Sequence, residues 1–183
     1  PAFQCYCDMT TNGGGWTLVV QNSSATNAVT PNYATATGTA ITANGTLNIG
    51  TCDLWVGMTN WVNMLPTELM YRVGSTPSAV TNAAKYNLSI NPSNNYSLSL
   101  SSETLLNGAT SPGLFTFHYN AKLSTFDVDN DSFSGNCSTA FGNTPFWYIS
   151  CWNGSIFGSG GTNGAHWNTA TGAGNAWGGI FIR

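Results

Sequence analysis

Three of the seven acidic residues in this 183-residue chain, Asp127, Asp129 and Asp131, fall within five positions, in the run Ser124-Thr125-Phe126-Asp127-Val128-Asp129-Asn130-Asp131-Ser132-Phe133-Ser134-Gly135-Asn136-Cys137. That run contains no lysine or arginine, and charged residues make up only 6% of the chain. Carboxylates packed this closely repel one another unless a cation sits among them. Hard oxygen donors at alternating positions, with main-chain carbonyls nearby, suit calcium. The run therefore reads as a calcium loop, against the alternative of a solvated acidic turn. An EF-hand does not fit the same residues. Asp127, Asp129, Asp131 and Phe133 could take positions one, three, five and seven, but Ser132 stands where a glycine is required and Ser138 where a glutamate is.

The length suits one compact domain with a core of its own. The only basic side chains are Arg72, Lys85, Lys122 and Arg183 and the net charge is -3, which excludes a nucleic-acid partner because nothing can neutralise a phosphate backbone. No apolar run reaches the length of a membrane span. The chain opens on Pro1 without a methionine or a signal sequence and is expected to be a processed or excised segment. Five cysteines (Cys5, Cys7, Cys52, Cys137, Cys151) stand among abundant Ser, Thr, Asn and Gly, a mix that points to an oxidising, secreted or extracellular-surface setting. His118 and His166 are the only imidazoles and Cys5-Tyr6-Cys7 is not a zinc knuckle, so disulfides are the better use of the thiols. Asn-x-Ser/Thr sites, among them Asn22, Asn44, Asn87, Asn95, Asn136 and Asn153, would accept glycans on a eukaryotic secretory route and mean nothing elsewhere.

Gly13-Gly14-Gly15 before Trp16-Thr17-Leu18-Val19-Val20-Gln21 predicts a turn feeding a strand. The stretch from Asn22 to Thr46 lacks periodicity and is expected on the surface as loop and short strand. Cys52 to Met58 is a compact apolar segment, Asn60 to Leu65 suits a short helix before Pro66, and Glu68 to Val73 is strand-like. Tyr86 to Ile90 and Tyr96 to Leu100 alternate apolar with polar residues, as half-buried antiparallel strands do. Residues 121–175 are irregular and rich in glycine and aromatics, so a metal and a Cys137 to Cys151 crosslink would have to hold them. Trp177 to Ile182 closes the chain as a strand.

With these residues in view the chain resembles a fibrinogen C-terminal-like domain, the module of fibrinogen, ficolins, tachylectins and related lectins. Tyr6-Cys7-Asp8-Met9 through Trp16-Thr17 resembles the family's opening, Leu54-Trp55-Val56-Gly57 with Glu68-Leu69 a second region, and the acidic run through Cys137 and on to Phe146-Trp147-Tyr148-Ile149-Ser150-Cys151 the third and most specific. The resemblance implies an α+β, mostly β fold with a central antiparallel sheet and a loop-rich lobe. The single domain over 1–183 would divide into an N-terminal part (1–46), a central sheet part (47–120), a calcium- and ligand-binding lobe (121–175) and a closing strand (176–183). It also implies that calcium is held by the carboxylates of Asp129 and Asp131 and the carbonyls of Phe133 and Gly135, with Asp127 as a supporting charge. By the same resemblance Cys137 pairs with Cys151, and a pocket for an acetyl group involves Phe141, Cys151 and Trp152, with His166 and Trp167 on the far wall. The Ser150–Cys151 peptide, often cis in the family, would then mark the site. Two departures stand out: Trp152 where histidine is common, and Ser155-Ile156-Phe157-Gly158 in place of the family's "NLNG". The cysteine that would pair with Cys7 lies upstream of this sequence, which leaves Cys5 or Cys7 to pair with Cys52 or outside the chain.

For Trp147 core is the better reading, and His118 beside Leu114-Phe115-Thr116-Phe117 reads as structural. The leading expectation for function is a calcium-dependent, lectin-like module for glycans or other acetylated small ligands, weak at a single site and strengthened by multivalent presentation. The competing expectation is an adhesive or structural subunit that contacts protein partners or copies of itself, in keeping with the scarce charge. Catalysis is not expected: no Ser-His-Asp order, separated carboxylate pair or zinc triad is visible.

Overall fold

The structure is a computed structural model that describes residues 4–23, 29–38, 41–42, 49–50, 53–108, 110–151, 153, 155–157, 165–168 and 174–183. Its strands are β1 (Cys7–Asp8), β2 (Trp16–Asn22), β3 (Ile41–Thr42), β4 (Leu54–Trp55), β5 (Glu68–Thr76), β6 (Ala79–Asn91), β7 (Ser97–Asn107) and β8 (Trp177–Ile182). They form one antiparallel sheet in the order β3-β4-β2-β8-β5-β6-β7, with β1 paired to β2. Short helices α1 (Tyr33–Gly38), α2 (Met58–Asn63), α3 (Leu114–Phe117) and α4 (Cys137–Ala140) complete the mostly β, α+β architecture.

Alternation explains the outer strands. Along β6 the side chains of Tyr86 and Leu88 are buried while Asn87 and Ser89 face solvent, the period-two signature of a sheet with one wet face. β8 is buried along its length and sits between β2 and β5, so the C-terminal strand joins the two halves of the sheet. A side chain added at Gly178 would collide with Ala165 and Ile156, so glycine there lets the irregular lobe seat against the sheet. Leading into β2, Gly13, Gly14 and Gly15 all take positive φ (88°, 73° and 76°), the region that favours glycine.

The stretch expected as surface loop between Asn22 and Thr46 holds α1, and Val29 and Ala36 are buried. Trp55 Nε1 donates to the Ala36 carbonyl at 2.8 Å, so tertiary packing stabilises a helix that no apolar periodicity announces. Trp55 in turn belongs to a cluster with Trp61 and Trp147, whose ring centroids lie 5.4 to 6.3 Å apart. This cluster ties α2 and the sheet to the segment that follows the acidic run, and it places Trp147 in the core as expected. At the other end Arg183 donates to Glu68 and lies over the Trp16 ring at 4.2 Å, closing β8 onto β5 and β2.

Candidate calcium loop and disulfide-bordered site

The acidic run wraps around one carboxylate. Asp131 Oδ1 accepts the Phe133 N–H (2.9 Å) and its Oδ2 the Cys137 N–H (2.9 Å), while Asp129 Oδ1 accepts the Asp131 N–H (3.1 Å). Behind this curl Asn130 donates to Ser124 Oγ and to the Leu123 carbonyl, and Ser132 N–H donates to the Ile149 carbonyl at 2.8 Å. Asn136 completes it by capping α4 through Thr139 N–H and donating to the Thr125 carbonyl. The loop is thus fixed by side-chain and main-chain bonds in a segment that no sheet ladder supports.

Burial pushes the Asp131 carboxyl above its usual value; the Cys137 and Phe133 amides oppose this, and the neighbouring Asp129 charge adds to it. Among the described residues no lysine or arginine pairs with Asp129 or Asp131. The carbonyls of Phe133 and Gly135 accept no hydrogen bond from any described residue. Two adjacent uncompensated carboxylates with two unused main-chain oxygens suit a hard cation. Among the described residues no three His, Cys, Asp or Glu side chains converge, so a cation here would rest on two carboxylates and main-chain oxygens. Asp127, expected as a supporting charge, is engaged elsewhere through one oxygen. Its Oδ1 accepts from Tyr33 N–H (2.9 Å) and Thr125 Oγ1 (2.7 Å), so this carboxylate ties the run to the start of α1.

Cys137, the first residue of α4, is bonded to Cys151 with Cα atoms 5.2 Å apart. Cys5 and Cys7 are exposed free thiols with their sulfurs 3.8 Å apart, and Cys52 lies outside the described residues. The Ser150–Cys151 peptide is trans, contrary to expectation, and the backbone irregularity falls instead on Cys151 itself, at φ 66°. Positive φ at a non-glycine residue is uncommon and strained. The Cys151 carbonyl accepts from Ile149 N–H, whereas its own N–H donates to no described group.

Phe141 ends α4 half-buried, its ring stacked on Tyr148 at 6.2 Å. Trp152 lies outside the described residues. His166 (3% exposed) and Trp167 (1%) are buried. Trp167 stacks on Tyr71 at 5.4 Å and donates to the Thr110 carbonyl, and burial lowers the His166 pKa. Beside the loop lies a shallow concavity of about 150 Å³ lined by residues that include Lys122, Asp131, Tyr148 and Ile149. Lys122 and Tyr148 were not among the residues the sequence singled out for the site; nothing in the local pattern separates them from ordinary loop and core positions.

These features define a class: a single antiparallel sheet carrying an irregular lobe, with an acidic loop locked to a short disulfide-closed segment. The chain belongs to the family described as the C-terminal globular domain of fibrinogen beta and gamma chains, whose model matches residues 1–180. A chicken fibrinogen-like protein 1-like protein is 31% identical over 159 residues, covering 81% of this chain and 53% of the relative. The human fibrinogen alpha chain is 28% identical over 167 residues, covering 81% and 18%. The chain therefore spans about half of the first relative's length and far less of the second's. Among solved structures, the fibrinogen-like globe domain of human ANGPTL2 is similar with a TM-score of 0.75 at 21% identity, covering 98% of this chain and 85% of that one. Lamprey fibrin D-dimer, complexed with the peptide Gly-His-Arg-Pro-amide, gives 0.71 at 17% identity, covering 98% and 64%. The family is one of non-enzymatic binding domains.

Proposed function

We propose that this domain is an extracellular recognition module in which calcium, held by Asp129, Asp131 and the carbonyls of Phe133 and Gly135, stiffens the loop bordering a binding site for acetylated ligands, glycans foremost. The observation that carries the reading is the uncompensated Asp129–Asp131 pair fixed against the Cys137–Cys151 disulfide. The cation would supply no chemistry; it would offset the carboxylate repulsion and hold the loop. At the ligand side the Cys151 N–H, which donates to no described group, is a donor for an acetyl carbonyl, and Phe141 and Trp152, which follow Cys137 and Cys151 in sequence, are the aromatic candidates for the methyl. Titration of N-acetylglucosamine and N-acetylated amino acids by calorimetry, with calcium and again with a chelator, tests this. Weak saturable binding that disappears on chelation is expected, and binding indifferent to calcium contradicts it.

A second reading is an adhesive subunit that binds protein segments. The peptide complex of lamprey fibrin and the scarcity of charge on this chain favour it. Absence of sugar binding together with capture of short basic peptides would select this alternative.

A further inference from the structure

The seven Asn-x-Ser/Thr sites, Asn130-Asp131-Ser132 among them, are not equivalent once folded. Asn22 is fully buried in β2. Asn136 has both ends of its carboxamide engaged, accepting from Thr139 and donating to Thr125, and the hydroxyl residue of its triplet, Ser138, is buried. Asn95 likewise accepts from the Tyr33 hydroxyl and donates to Asn130, whose own carboxamide is engaged at both ends, accepting from Asn95 and donating to the Leu123 carbonyl. Asn153 is half-buried with its Nδ2 packed against Gly113, and Asn44 lies outside the described residues.

Asn87 differs on every count. It stands on the wet face of β6, exposed, with its carboxamide in no hydrogen bond to a described residue. Its cross-strand neighbours are Glu68 on β5 and Ser101 on β7, and Ser89 lies opposite Ser99, so small hydroxyl side chains leave open floor towards β7. Asn87 also borders a concavity of about 180 Å³ whose far side is Tyr119, 51% exposed.

We propose that Asn87 is a glycan attachment site and that the first N-acetylglucosamine lies in this concavity on the Tyr119 ring. In the transfer, Asn87 Nδ2 forms a bond to the anomeric carbon of a lipid-pyrophosphate-linked oligosaccharide, loses one proton, and the lipid pyrophosphate leaves. The apolar face of the sugar then covers an aromatic surface that is otherwise wet, and attachment to a well-ordered strand keeps the ordering cost low.

The test is secretion of the chain from a eukaryotic host, followed by peptide mapping after release of N-glycans by an amidase that leaves aspartate at each occupied site. Occupancy of Asn87, with Asn22 and Asn136 unmodified, is expected; an unmodified Asn87 in secreted, folded protein overturns the assignment. Both Asn87→Gln and Ser89→Ala should remove this glycan and lower Tm by about 2 °C relative to the glycosylated parent. In a Tyr119→Ala background that difference should vanish. A glycan-dependent Tm difference that persists in the Tyr119→Ala background, or equal Tm values with and without the glycan when Tyr119 is present, would overturn the contact between sugar and ring.

Discussion

His118 Nε2 accepts the main-chain N–H of Asn153 at 3.1 Å, while the opposite ring nitrogen bonds the Trp147 carbonyl at 2.7 Å. A buried, neutral imidazole therefore fastens the backbone just after Cys151 to the segment that carries the tryptophan cluster. The ring must donate from Nδ1 and accept at Nε2, which fixes its tautomer. Burial dominates its titration and lowers its pKa to about 4, despite the two backbone bonds.

Because the folded pKa lies below the unfolded value of about 6.5, the unfolded chain binds the extra proton first. The stabilising contribution is complete above that value and falls by about 3 kcal/mol as pH drops to about 4. Urea unfolding at pH 7.5 and 4.5 should show this loss. His118→Gln, which cannot titrate, should be less stable at neutral pH and lose most of the slope; a slope unchanged in the variant would assign the pH dependence elsewhere.

Asp8 and Arg72 form an ion pair at 2.9 Å with little exposure, and the guanidinium also lies over Phe181 at 5.2 Å. Burial disfavours the Asp8 charge, but hydrogen bonds from Thr11 and Thr10 outweigh it and hold the carboxyl well below its usual range. Asp8→Ala should cost about 2–4 kcal/mol in chemical denaturation, since it strands Arg72 and removes the turn's acceptor. The depressed pKa adds stability that is present above the unfolded carboxyl value and is lost as pH falls below it. A variant within about 0.5 kcal/mol of the parent would show that the pair is merely a surface contact.

Gly178 is where the lobe meets the sheet. Gly178→Ala should lower stability by about 1–3 kcal/mol through overpacking against Ala165 and Ile156, with Tm the readout. An unchanged Tm would mean that Ile156 and Ala165 do not dock on the sheet as described.

The paired replacement Cys137→Ser and Cys151→Ser reopens a connection with a sequence separation of 14. A loss of about 3 kcal/mol is expected on chain-entropy grounds. Proteolytic nicking should then concentrate between 121 and 153, because few ladder bonds hold that lobe. Uniform cleavage across the sheet would contradict a local role for the crosslink.

Period-two patterns made β6 and β7 readable from sequence, and Glu68, Trp16 and Trp177 each begin a strand where β-branched and aromatic residues follow. The short helix near Trp61 was equally legible from its position before Pro66. By contrast α1 is a run of Tyr, Ala, Thr and Gly whose reason to be helical, the Trp55 bond to Ala36, lies nineteen residues away. The acidic loop announced itself through charge, yet charge alone could not say that Asp127 also reaches across to Tyr33. His166 and Trp167 stand in a polar, glycine-rich stretch, and their burial follows from contacts with Tyr71 and Thr110 that local sequence does not display.

The proposed reading is that a divalent cation between Asp129 and Asp131 orders the lobe. Its most direct test is thermal unfolding of the chelator-treated protein with and without added calcium, beside the variant Asp131→Ala. At a calcium concentration near 100 times its dissociation constant, the parent should gain roughly 5–10 °C in Tm and the variant nothing. A parent whose Tm does not respond to millimolar calcium, or a variant that responds as fully as the parent, would contradict the account.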